Sequence, residues 1–253
     1  MTAPELILIV LLGLTAGVMI GGIGVGGVIL VPSLFFFVGI PVHTAIPSAM
    51  MAYILSGIIG TTVYARNKSI NWPMAGWLCL GATPTAFAGA WTVHFVDARV
   101  LEVGIGLLTF FSGINALKNG RKAVVQERTS VSKVSLVMVG ALTGFLSAIS
   151  GTGGPLILVP VLISMSLPVL AVVGLSQAIQ LPVAVAATFG NLLYGKLDLT
   201  LGALLAVTLI FGSWTGAQLA HVVPRATIKK FVSFVLVLVG IFILVNVTRH
   251  FLS

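Results

Sequence analysis

Two short stretches of this chain carry residue types that could hold an anion without a charged side chain. Gly24-x-Gly26-Gly27 precedes an apolar run with Pro32, and Gly151-Thr152-Gly153-Gly154 precedes another with Pro160. Glycine permits backbone angles and close approaches that a Cβ forbids. A helix starting just after such a turn presents unpaired N–H groups at the positive end of its dipole, and such an end attracts anions. Neutral donors could complete a site. Ser176, Gln177 and Gln180 share one helical face at spacing i, i+1, i+4, Ser48 matches Ser176 in the first half, and Thr152 lies inside the second turn. The expected substrate-binding set is Gly24, Gly26, Gly27, Ser48, Gly151, Thr152, Gly153, Gly154, Ser176, Gln177 and Gln180, with Pro32 and Pro160 as structural breaks.

These turns are embedded in hydrophobic sequence, so the solvent around them decides their meaning. Of 253 residues 7% are charged and 58% hydrophobic, and the mean hydropathy is +1.18. A soluble domain carries about a quarter charged residues. No charge occurs from Leu6 to Val63, or between Lys133 and Lys196. Runs of this length imply an all-α polytopic membrane protein. The N-terminus lacks the basic region of a signal peptide and reads as mature sequence. A single cysteine, Cys79, argues against an internal disulfide or a cysteine metal cluster. The net charge of +8 does not call for nucleic acid, because five of the thirteen basic residues lie between Lys118 and Lys133. Such a cluster marks a cytoplasmic loop.

The glycine match extends into a whole repeat. Ser48 falls on Ser176, Tyr64 on Tyr194, and "GAWTVHFV" (89–96) on "GAQLAHVV" (216–223), which places His94 on His221. Residues 1–120 and 134–253 read as duplicated transmembrane units, joined by a basic linker over 121–133. Each unit divides into five apolar segments: 6–23, 28–38, 45–64, 73–96 and 100–117 in the first, 134–149, 156–167, 169–193, 199–223 and 228–247 in the second. The run after each glycine turn has about 12 residues, or about 18 Å of helix, too short to span. It reads as a half-helix, so the expectation is eight spans plus two short segments, about ten helical segments.

Charge suggests the orientation of the halves. If each half crosses five times, Arg66, Lys68, the linker, Arg225, Lys229 and Lys230 lie inside, and Arg99, Lys196 and Arg249 outside. Four crossings per half give a weaker bias. Odd crossings make the halves an inverted repeat, an architecture that places paired broken helices around a midplane site.

With these motifs in view, the chain resembles the sulfite exporter TauE/SafE family. The resemblance rests on Gly24, Gly26, Gly27 and Pro32, on Gly151, Gly153, Gly154 and Pro160, on the basic mid-chain linker, the Tyr-x-Arg/Lys loops and the GA…H segments. It implies a multi-pass permease of the bacterial inner membrane for sulfite, sulfoacetate or a related organosulfur anion. Its expected partners are that anion, the bilayer and a possible second copy in a homodimer. No cofactor and no metal are expected.

Competing readings are simpler or differ in class. Gly13, Gly17 and Gly21 show the four-residue spacing of close-packed membrane helices, and a lone glycine motif would mean the same. Gln177 and Gln180 could bond between helices, and Asn191 reads as a cap or interhelical contact. His94 and His221, at segment ends, read as interface anchors before proton relays. An anion channel, or a carrier for another oxyanion or carboxylate, fits the same residues. An intramembrane enzyme would need a base beside its nucleophile, and Ser150 has none in sequence reach. A purely structural subunit leaves broken helices unexplained. No Asp, Glu, Lys or Arg lies mid-span, which leaves histidine, Asp198 or backbone carbonyls for any ion coupling.

Overall fold

A computed structural model describes residues 3–24, 26–101, 103–105, 107, 131–165, 167–222, 241 and 245. Among them there is no strand. The first half holds α1 (Ala3–Ile23), α2 (Gly27–Val38), α3 (Val42–Arg66) and α4 (Trp72–Val93). The second holds α5 (Lys133–Ser150), α6 (Pro155–Ser164), α7 (Val169–Tyr194) and α8 (Leu199–Val222). These follow the expected segments closely. The linker and most of the segments at 100–117 and 228–247 lie outside the described residues.

Local sequence explains the boundaries. Gly24 adopts φ +79° and ends α1, while Gly151, Gly153 and Gly154 adopt +67°, +76° and +109° between α5 and α6. Gly39, at φ +77°, closes α2 by donating its N–H to Phe35 O. Pro41 and Pro168 precede α3 and α7. Asn71 accepts from Met74 N at 3.2 Å to cap α4, and Asp198 accepts from Leu201 N at 3.0 Å to cap α8. α4 and α8 thus start on the same kind of side-chain cap.

Five of the helices, α1, α3, α5, α7 and α8, are long and apolar enough to cross a membrane. α4 has 22 residues but a more polar mixture of Gly, Ala, Thr and Pro. α2 and α6, with 12 and 10 residues, reach about 18 and 15 Å, roughly half a bilayer core.

The helices pack in pairs that exchange between halves. α1 lies on α8 as α5 lies on α4, α3 on α8 as α7 on α4, and α3 packs on α7. Small residues allow these approaches. A Cβ on Gly17 would come within 2.9 Å of Gly212 Cα, and one on Gly21 would strike the Ser213 carbonyl. On the other side, Gly140 and Gly144 of α5 press on the carbonyls of Leu78 and Ala82. The spacing of Gly13, Gly17 and Gly21 is therefore a packing feature. Ser56 and Ser213 share a buried hydrogen bond of 2.6 Å across α3 and α8. α3 and α7 run through the interior: Tyr53, Tyr64, Gln177, Gln180 and Asn191 have no solvent exposure.

Candidate functional site

The two glycine turns meet. A Cβ on Gly27 would strike the Thr152 carbonyl, and one on Gly151 would sit 2.7 Å from Val31 Cγ2 of α2. Tyr53, from α3, lies between them. Its hydroxyl donates to Gly27 O at 3.2 Å, and its ring covers Gly153, where a Cβ would be 2.8 Å from Cδ2. Pro32 and Pro160 lie inside α2 and α6.

The first turn is closed. Gly26, at the start of α2, folds back so closely on α1 that a Cβ would strike the Ala16 carbonyl and reach 2.7 Å from Ile20 N. Two of the carbonyls left by the ending of α1 are occupied. Tyr64 donates to Gly21 O at 3.1 Å, while Gln177 Nε2 at 2.6 Å and Gly24 N at 2.8 Å both donate to Ile20 O. The donor must face that carbonyl, so the Gln177 amide orientation is fixed by chemistry. Its Oε1 is turned over Gly60 and has no hydrogen-bond partner.

The second turn has room. No side chain caps α6, and a Cβ on Gly154 would find only Ile179 Cγ2 at 3.9 Å and Ser147 Oγ at 4.0 Å. Ser147 is fully buried and its hydroxyl has no partner. One turn earlier on α5, Thr143 is also buried with an unpartnered hydroxyl. A free hydroxyl hydrogen thus lies beside an uncapped helix N-terminus, where Pro155 contributes no N–H but its successors do.

Hydrogen counting sorts the other expected donors. Ser48 gives its hydrogen to Asp198 O at 3.2 Å, and Ser176 gives its own to Val173 O at 2.8 Å, back along its helix. Ser150 donates to Leu146 O at 2.7 Å, so in its 2.9 Å contact with Thr152 it must accept, and the Thr152 hydrogen is spent as well. Gln180 keeps its whole amide: both Nε2 and Oε1 are buried without a partner. Asp198 caps α8 and, through its main chain, receives Ser48. At the end of α4, burial and then the charge of nearby His43 hold the His94 imidazole below its usual range, against an opposing contribution from Asn191. The side chain of His221 lies outside what is described. Among the described residues no three metal-ligating side chains gather.

Comparison with known proteins now decides the family. The family model described as "Sulfite exporter TauE/SafE" matches residues 9–243. The chain belongs to the TauE/SafE sulfite exporter family. Its relatives are named as probable membrane transporter proteins. One, from Methanocaldococcus jannaschii, is 23% identical over 255 residues, covering 94% of each chain. YdhB of Bacillus subtilis is 27% identical over 247 residues, covering 94% of this chain and 99% of its own. One from Xylella fastidiosa is 29% identical over 226 residues, covering 87% and 85%. No solved structure matches. This TauE/SafE chain is therefore a multi-pass membrane protein of a transporter family.

Sequence alone did not single out Thr143, Ser147, Tyr53 or Tyr64 for the site. Thr143 and Ser147 continue through Ser150 at i, i+4, i+7 spacing into the second turn, a polar helical stripe that was there to be found. Tyr53 and Tyr64 left no such trace, since nothing local says that a tyrosine reaches a carbonyl of another helix.

Proposed function

We propose that the chain is a permease for a small organosulfur anion such as sulfite, sulfoacetate or a related sulfonate, bound near the midplane at the second glycine turn. The observation that carries this is the unpartnered, fully buried Ser147 hydroxyl 4.0 Å from the Cβ position of Gly154, at the uncapped start of α6. An oxyanion there receives backbone N–H groups and the helix dipole, and the free amide of Gln180 is a further neutral donor. With no countercharge in the spans, binding is weak and release ready, which suits passage.

The halves form an inverted repeat that alternates access around this site. The exchange of helix pairs between halves supports a two-fold relation, and the positive-inside count supports opposite insertion. The setting is the inner membrane, and the chain performs no chemistry on its substrate. Ser150 has its hydroxyl tied to Leu146 and Thr152 rather than to a base.

The test is flux into proteoliposomes across sulfite, sulfoacetate, a taurine-like zwitterion, a simple carboxylate and chloride. Saturable uptake of a sulfur oxyanion, competed by its relatives, is expected. Unsaturable passage of every anion would make the protein a channel, and saturable uptake of the carboxylate alone would move the substrate class.

A further inference from the structure

Beyond the second turn, one face of α7 is unusual. At 100° per residue, Gln177, Gln180, Thr188 and Asn191 fall within a sector of roughly 80°, over a rise of roughly 21 Å. All four are buried, Thr188 the most exposed at 7%. Three leave polar atoms unpartnered, Gln177 Oε1, both amide atoms of Gln180 and Thr188 Oγ1, while the Asn191 amide meets the His94 ring. Helices that merely need glue use such groups in pairs, because a buried donor or acceptor without a partner is costly. Against this end of the file α3 is small: Gly60 lies against the Gln177 amide and Gly57 against Leu181, while Thr61 spends its hydroxyl on the Gln177 main-chain carbonyl at 2.9 Å.

The file has two ends. Gln177 latches onto Ile20 O beside the first glycine turn, and that turn meets the second where Gly27 packs on the Thr152 carbonyl. The Asn191 main-chain carbonyl accepts the Gly195 N–H at 2.7 Å, and a Cβ on Gly195 would lie 2.7 Å from the His94 ring at the end of α4. The His94 Nε2 is buried beside the Asn191 side chain.

We propose that this face of α7 lines the route by which a small hydrophilic solute travels between the second glycine turn and the His94 end, with α3 and α4 parting from it. The route is one-sided: amides and hydroxyls on α7 replace hydration, and α3 is a smooth wall. Thr188 and Asn191 are positioning residues of the moving state rather than of the bound state. The proposal rests on the second turn as the substrate site but names different residues.

The test places single cysteines at Thr188, Asn191, Val183 and Leu175 in a Cys79→Ser background, reconstitutes the full chain, and measures reaction with a small charged methanethiosulfonate. Val183 and Leu175 are as buried as the file but lie off it. Cysteines at 188 and 191 are expected to react about tenfold faster than those at 183 and 175, because local opening exposes one face only. Equal protection, or equal reaction, of all four overturns the route. Sulfoacetate, which does not react with the reagent, slowing the reaction at 188 but not at 183 supports both readings. Fast reaction that no sulfur oxyanion slows keeps the route and rejects the substrate. A second variant, Thr188→Val with Asn191→Leu, separates function from packing. Loss of about tenfold in maximal flux with unchanged half-saturation and unchanged melting temperature is expected. A lowered melting temperature with normal flux assigns these groups to helix packing and overturns the proposal.

Discussion

The first glycine turn is held by side chains from two other helices, whereas the second is held by its own backbone and its own hydroxyls. Tyr53 and Tyr64 of α3 and Gln177 of α7 occupy Gly27 O, Gly21 O and Ile20 O around the α1–α2 break. At the α5–α6 break, Thr152 N reaches back to Ser147 O at 3.2 Å, and Ser150 and Thr152 bond each other. The repeat mate of Tyr64 is Tyr194, which is 52% exposed and does no such work. Of the two broken helices, one is thus a fixed strut and the other keeps free donors. A single anion site at the second turn follows more readily than a symmetric site shared by both.

The contrast breaks most sharply at Gly27. Alanine there would drive a methyl into the Thr152 carbonyl, and backbone cannot step aside as a side chain can. A loss of about 3 kcal/mol is expected, at the upper end for overpacking, read as a sharply lower melting temperature in detergent. A Gly27→Ala protein that melts like the parent would mean the turns do not touch. Gly154→Ala tests the other side. Its methyl meets nothing closer than 3.9 Å, so only the strain of φ +109° remains, about 1–2 kcal/mol. It should fold and insert while weakening substrate binding. Equal destabilisation by the two substitutions would erase the distinction between closed and open turns.

The tyrosines sharpen the same contrast with a smaller effect. Tyr53→Phe and Tyr64→Phe each remove one buried hydroxyl bond, worth about 1 kcal/mol. The pair should cost about 2 kcal/mol if the carbonyls they serve are independent. Half-saturation for transport should barely move, since neither hydroxyl is available to a ligand. A large change in affinity with unchanged stability would put the substrate at the first turn instead.

Much of this was legible in the chain. The first four apolar segments of each half, the glycine breaks and the short helices after them follow from length, periodicity and glycine chemistry, because a bilayer makes those constraints strict. The roles of the polar residues were less legible. Ser48, Ser176 and Thr152 have the right chemistry, but each hydroxyl hydrogen is spent on a carbonyl or a neighbouring hydroxyl, and sequence does not record where a hydroxyl points. Gln177 shows the limit most clearly. Its amide looked like a donor for an oxyanion, yet it is a latch on Ile20 O that leaves only an acceptor free. Gln180, one turn along the same face, kept both ends free.

Ser147 is the finest point at which the comparison can be tested, and there stability should not move. Its hydroxyl has no partner to lose, so Ser147→Ala removes a desolvation cost without breaking a bond, and the melting temperature should stay level or rise slightly. If that hydroxyl serves only the substrate, half-saturation should rise by up to about tenfold, the factor for a hydrogen bond worth about 1.4 kcal/mol. Ser48→Ala is the matched control: it breaks a real bond to Asp198 O, so it should cost stability and leave half-saturation alone. The two serines thus make opposite predictions from the same chemical change. A Ser147→Ala protein with unaltered half-saturation and a Ser48→Ala protein with weakened binding would move the site from the α6 terminus to the start of α8.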